Sequence, residues 1–138
     1  MSATAFNNIE SAISVKLAST PDLPDIAWPN AKFTPITGTP YLRFNILFSE
    51  PAQNTLGETG RNMLRGFAQI DCVFPALGGT QDSRATVGLI ADAFKRGTDL
   101  VYNGQTVTIT GVYPSGRTIE SDWMTTPITI NFFSIVEN

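Results

Sequence analysis

Two alternating runs limit what this chain can fold into. From Tyr41 to Phe48, the apolar residues Leu42, Phe44, Ile46 and Phe48 occupy every second position. From Leu64 to Phe74, Leu64, Ala68, Ile70, Cys72 and Phe74 do the same, with Gly66 leaving a gap in the row. A period of two puts each set on one face of a strand. A polar, Gly-rich stretch, Glu50 to Asn62, joins the runs, so together they read as a long antiparallel hairpin with one buried face.

The rest of the chain supplies what such a hairpin packs against. Ser2 and Thr4 can cap a helix whose apolar stripe is Phe6, Ile9, Ile13 and Leu17, a spacing suited to lying on a sheet. Pro21 and Pro24 stop it. Five prolines between Pro21 and Pro40 predict an extended segment without regular strand. In it, Ile26, Trp28 and Phe33 serve as apolar tacks. Trp28 suits the core or an interface equally, since a rigid aromatic anchors both.

A second helix is expected over residues 82–96, with Asp82 at its positive start and Lys95 and Arg96 at its negative end. Gly97 fits its left-handed stop. Its buried stripe reads as Leu89, Ile90, Ala93 and Phe94, with Ala85 or Thr86 one turn earlier. Asn103-Gly104 marks a two-residue hairpin between residues 100–102 and 105–112. Val107 and Ile109 face one way there, and Thr106, Thr108 and Thr110 the other. The last strand spans about Pro127 to Val136. Ile128, Ile130 and Phe132 lie on one face, Phe133 and Ile135 on the other, which implies cover on both sides by the proline segment or another subunit. This order of elements predicts an α+β fold in one domain, residues 1–138. Its parts are a mostly antiparallel twisted sheet, two helices packed on one face and a long projecting β-hairpin.

Composition narrows the function classes. The chain has no histidine and a single cysteine. The commonest general base and metal ligand is therefore missing, and a cysteine-rich metal site is impossible. Cys72 falls in the strand pattern and reads as a packed core thiol rather than a nucleophile. Glu120 and Asp122 sit in a turn before Trp123 and read as a solvated loop rather than an acid–base pair. Asp71 is placed to pair with Arg43 or Arg65 across the strands. No catalytic residue, cofactor or metal is expected. The formal net charge is −3, and the six arginines are dispersed, unlike a nucleic-acid binder or a polybasic membrane anchor. Gly57-Glu58-Thr59-Gly60 fits the bare G-x-x-G pattern of an RNA-binding loop, but strands flank it and a glutamate occupies it. Gly78-Gly79 before the second helix reads as capping rather than as an anion site. No signal-peptide pattern opens the chain, and no apolar run approaches the ~18 residues of a membrane span. A reducing cytosol, or a particle assembled there, is the expected compartment.

A set of short motifs adds a family resemblance. Ile26-Ala27-Trp28-Pro29-Asn30, Phe33-Thr34-Pro35 and Gly38-Thr39-Pro40-Tyr41-Leu42-Arg43 resemble the opening of a family of small tailed-phage proteins similar to tail terminator, or tail completion, proteins. The likeness continues through Thr55-Leu56-Gly57, Gly60-Arg61-Asn62, Arg65-Gly66 and the strand to Phe74-Pro75. It then takes in Phe94, Arg96-Gly97-Thr98, Asn103-Gly104, Trp123 and Pro127-Ile128-Thr129-Ile130. The resemblance implies a virion protein of the tail and neck, assembled in the host bacterial cytoplasm. It implies a homo-hexameric ring on the end of the tail tube that stops polymerisation and meets the head connector or stopper. DNA would pass through the lumen without specific binding, and no membrane is involved. The residues expected at interfaces are Trp28, Phe33, Thr55, Leu56, Gly57, Glu58, Arg61, Phe133 and Ile135. Two readings stand beside this one: a head-completion or connector-stopper protein, and a small non-viral ligand-binding α+β domain.

Overall fold

The computed structural model describes residues 4–49, 52–53 and 60–137. Helix α1, Ala5–Ser19, buries Ala5, Asn8, Ile9, Ala12, Ile13 and Leu17. Three of the four expected stripe residues are thus in the core. Phe6 lies at its margin, edge-to-face on Phe48 with centroids 4.9 Å apart. Thr4 is the N-cap residue, whereas Ser2 lies outside the described residues.

Eight strands form one sheet. Strands β1 (Asp25–Ala27), β2 (Tyr41–Phe48), β3 (Ala52–Gln53) and β4 (Arg61–Pro75) precede helix α2 (Gln81–Ala93). Strands β5 (Asp99–Tyr102), β6 (Gln105–Pro114), β7 (Thr118–Glu120) and β8 (Trp123–Glu137) follow it. The spatial order is β1-β2-β4-β8-β6-β5, with β3 on β4 and β7 on β8. All pairs are antiparallel except β1–β2, which is parallel, so the sheet is mixed.

The β2–β4 hairpin has the expected facing. Leu42 opposes Cys72, Phe44 opposes Ile70 and Arg43 opposes Asp71. Arg43 is the cation that pairs with Asp71, at 3.3 Å. The Asn103-Gly104 turn has φ of +48° and +79°, the left-handed pair that a two-residue hairpin requires. Leu42, Phe44, Leu64, Ile70, Ile109, Ile128 and Ile130 form one core with α1, Ile90 and Phe94. Both helices therefore cover the same face of the sheet.

Four expectations are corrected. Asp25–Ala27 is a strand despite the proline density, because it is an edge strand of three residues, fits between Pro24 and Pro29, and bonds to β2 alone. The last strand starts at Trp123 rather than Pro127, since the β7–β8 turn at Ser121 (φ +50°) pairs Glu120 with Trp123. Helix α2 ends at Ala93, with Phe94 as its C-cap residue. Phe94 turns into the core, which leaves Lys95 and Arg96 beyond the last turn. Thr86, Ile90 and Phe94 of the expected α2 stripe are buried and Ala93 packs against the core, but Ser83 joins them and Leu89 is 37% exposed. Thr110 is exposed, away from the buried Val107 and Ile109 as expected, and has no opposite number on β8: Ile109 faces Phe132 and Gly111 faces Asn131. This bulge returns Val112 to the side of Val107 and Ile109.

Candidate assembly surface

The sheet face away from the helices carries the odd-numbered residues of β2, β4 and β8. Cross-strand partners share a face, so the register lays the surface out. Leu47, Phe67, Asn131 and Gly111 form one row, and Arg65, Phe133, Thr108 and Asp99 another. Met63 and Ile135 lie beside it. Leu47 is 47% exposed, Val101 66% and Tyr113 49%. Phe67, Phe133 and Ile135 are half-buried. These apolar side chains share, with Arg65, Asn131, Thr108 and Asp99, a sheet face that neither helix covers, which makes it a candidate contact surface.

At one end of this face β6 parts from β8. Their ladder runs from Pro114–Ile128 to Thr108–Phe133 and goes no further. Side chains bridge the parted strands instead. Gln105 donates from Nε2 to the Ile135 carbonyl at 3.0 Å and to the Ser134 hydroxyl. Ser134 donates onward to the Thr106 carbonyl at 2.5 Å. Behind the parting is an open cleft of about 500 Å³ that includes Arg61, Thr108, Phe133, Ile135 and Glu137 in its lining. The cleft thus brings together three of the expected interface residues: Arg61, Phe133 and Ile135.

The others are elsewhere. Trp28 packs edge-to-face on Phe44 at 5.5 Å at the β1–β2 edge. There it lines a second cleft, of about 620 Å³, with Asn30, Arg43, Asn45, Gln69 and Asp71. Asp71 is held on two sides, by Arg43 and by Gln69 Nε2 at 3.0 Å. Phe33 packs on Tyr41 at 5.1 Å, and Tyr41 on Trp123 at 5.6 Å. Phe33 thus reaches the Trp123 end of β8 only through Tyr41 of β2, and Trp123 is roughly 33 Å of strand from Phe133. Thr55, Leu56, Gly57 and Glu58 lie outside the described residues. Leu47, Phe67, Val101 and Tyr113 were not singled out from the sequence. Their odd parity beside Phe133 was the signal that could have found the first two.

The buried thiol of Cys72 is pushed up to about 12 from 9.0, first by burial and then by the charge of Asp71, so it stays protonated. Among the described residues no group of His, Cys, Asp and Glu is placed to hold a metal ion, and no described helix is long and apolar enough to cross a membrane.

Fold and surface define an α+β sheet protein whose helices leave one sheet face uncovered, with apolar and polar residues interleaved on it. The chain belongs to the phage tail terminator protein family, whose family profile matches residues 8–132. It is a structural protein of the phage tail. Several solved structures share the fold, among them two that match over nearly all of this chain. One carries no functional description; it is 24% identical with a TM-score of 0.72, over 99% of this chain and 96% of its own. The other belongs to the virion of a native gene transfer agent particle. It is 18% identical with a TM-score of 0.65, over 99% of this chain and all (100%) of its own. No curated protein matches.

Proposed function

We propose that this chain closes the tail tube as a ring, with six copies the expected number, and offers its other surface to the head connector or stopper. The observation that carries this reading is the family match over residues 8–132. The helix-free sheet face supports it, because an assembling subunit needs apolar area beyond its own core. The fold shared with a protein of a gene transfer agent virion supports a place in the particle.

The mechanism is recognition rather than bond-breaking. One ring surface matches the end of the growing tube, and the other refuses a further tube subunit, so polymerisation stops. The Phe133–Ile135 end of the sheet, the Trp28 edge and the segment around Thr55–Glu58 are the contact elements. A formal net charge of −3 lets DNA pass through the lumen without being held, since like charges repel.

Deleting residues 55–60 tests the reading. Tube-end binding should be lost while circular dichroism and unfolding temperature stay close to wild type. A deletion variant that still caps tubes and gives normal virion yield would remove that segment from the mechanism.

A further inference from the structure

The two flanks of α2 carry opposite charge. On the β1 side, an open groove of about 680 Å³ runs between α2, the proline segment and the end of β4. Leu23, Pro40, Phe74 and Leu89 give it an apolar lining, and Leu89 is the α2 residue that the protein's own core leaves exposed. The charged residues lining the groove are all aspartates: Asp22, Asp25 and Asp82. None of the three has an ion-pair partner among the described residues.

The β6 side is the reverse. There Arg84 and Arg117 are the charged residues around a hollow of about 230 Å³, between α2 and the turn after β6. Both are exposed, and neither has an ion-pair partner among the described residues. Next to Arg117 along the chain, Ile119 on β7 is 65% exposed. It opposes the buried Met124, so it is on the helix side of the sheet. Leu77 is fully exposed on a turn that Ala76 N–H ties to the Asp122 carbonyl at 2.8 Å. Its φ of +66° is a backbone that a bulky side chain rarely adopts, and such strain gathers where proteins make contacts.

We propose that the two flanks of α2 form the joint between neighbouring copies of this chain. The Arg84–Arg117 ledge of one copy seats on the aspartate-rimmed groove of the next, with Ile119 and Leu77 supplying apolar contact. Charge complementarity selects a second copy as the occupant, since each flank lacks the counter-charge that the other displays. The sheet order puts β1 and β6 on opposite sides of the β4–β8 pair, so ledge and groove of one molecule cannot meet each other. A contact between two different surfaces is head-to-tail, and repetition with a closing rotation makes a ring. The joint rests on the ring reading above, and it leaves the helix-free sheet face to the tube.

Charge reversal tests it. Association of the full chain is followed by analytical ultracentrifugation and by counting copies on purified tube ends. D25K/D82K and R84E/R117E each set like charges across the joint, so each alone should associate at least about a hundredfold more weakly than wild type. Mixed in equal amounts, the two should associate again as alternating copies. The basic groove of the first accepts the acidic ledge of the second, and the unaltered groove of the second accepts the unaltered ledge of the first. Circular dichroism checks that each variant is folded. Ile119→Ser should weaken wild-type association roughly tenfold. Wild-type association matched by both reversals, or a mixture of folded variants that stays apart, overturns the joint and leaves a ring built through other surfaces standing. A wild-type chain that stays single both in solution and on tubes overturns the joint and the ring together.

Discussion

Gly66 is where the sheet tolerates a side chain least. It sits between Phe48 and Phe132 in the central strands. A Cβ added there would meet the Leu47 carbonyl oxygen at 2.2 Å, the Phe132 ring at 3.0 Å and Phe48 Cα at 3.1 Å. The first contact is with backbone, so no rotamer change relieves it. The strands must separate, while the Phe48 and Phe132 rings, edge-to-face at 5.9 Å, hold them together from the core side. Overpacking of this kind costs about 1–3 kcal/mol, and straining one ladder bond such as Ser49 N–H to Arg65 O (2.7 Å) adds about 1 kcal/mol. Gly66→Ala is therefore expected to destabilise by about 2–4 kcal/mol. In a chain of this length that lowers the midpoint by roughly 8–16 °C. Urea unfolding followed by tryptophan fluorescence reads the loss directly. Gly88→Ala is the matched control. Nothing lies within 4 Å of its Cβ and it sits inside α2, so alanine should stabilise by about 0.5–1 kcal/mol. A Gly66→Ala cost below about 0.5 kcal/mol would refute the steric account.

Other outcomes follow from the core and the open face. Phe94 is fully buried where α2 ends, so Phe94→Ala should cost about 3–5 kcal/mol in chemical denaturation. The Cys72 thiol keeps its proton to about 12 in the folded protein against 9.0 unfolded. Between those values only the unfolded state gives up the proton, so stability falls as pH rises, by at most about 1.4 kcal/mol per pH unit. Cys72→Ala should lose that slope, and native Cys72 should resist iodoacetamide at pH 8. Replacing Phe133 and Ile135 with serine should cost about 1 kcal/mol each in stability, because both are only half-buried, yet should abolish tube-end binding in a pull-down with purified tubes.

The long elements were legible because their periodicity is strong and their turns have a single chemistry. The alternation of residues 41–48 and 64–74 sets the facing of β2 and β4, and the Asn103-Gly104 turn sets β5 and β6. The short edges were not legible. Three-residue strands such as Asp25–Ala27 and Thr118–Glu120 are held by a neighbour's hydrogen bonds, not by preferences of their own. Helix α2 ends before Lys95 and Arg96 because burial of Phe94, a tertiary effect, outweighs the favourable placement of those cations at a helix terminus. On the candidate surface, the outward parity of Phe133 and Ile135 could be read from the strand pattern. The cleft beside them could not. It depends on where β6 leaves β8, and on Gln105 and Ser134 replacing a backbone ladder with side-chain bonds.

The central claim concerns where tube growth stops. Electron microscopy of particles made with this chain removed measures it most directly, through the distribution of tube lengths and the fraction of tails joined to heads. The account predicts tubes of uncontrolled length and heads without attached tails, both restored by supplying the protein. Tails of uniform normal length, firmly attached in its absence, would contradict it.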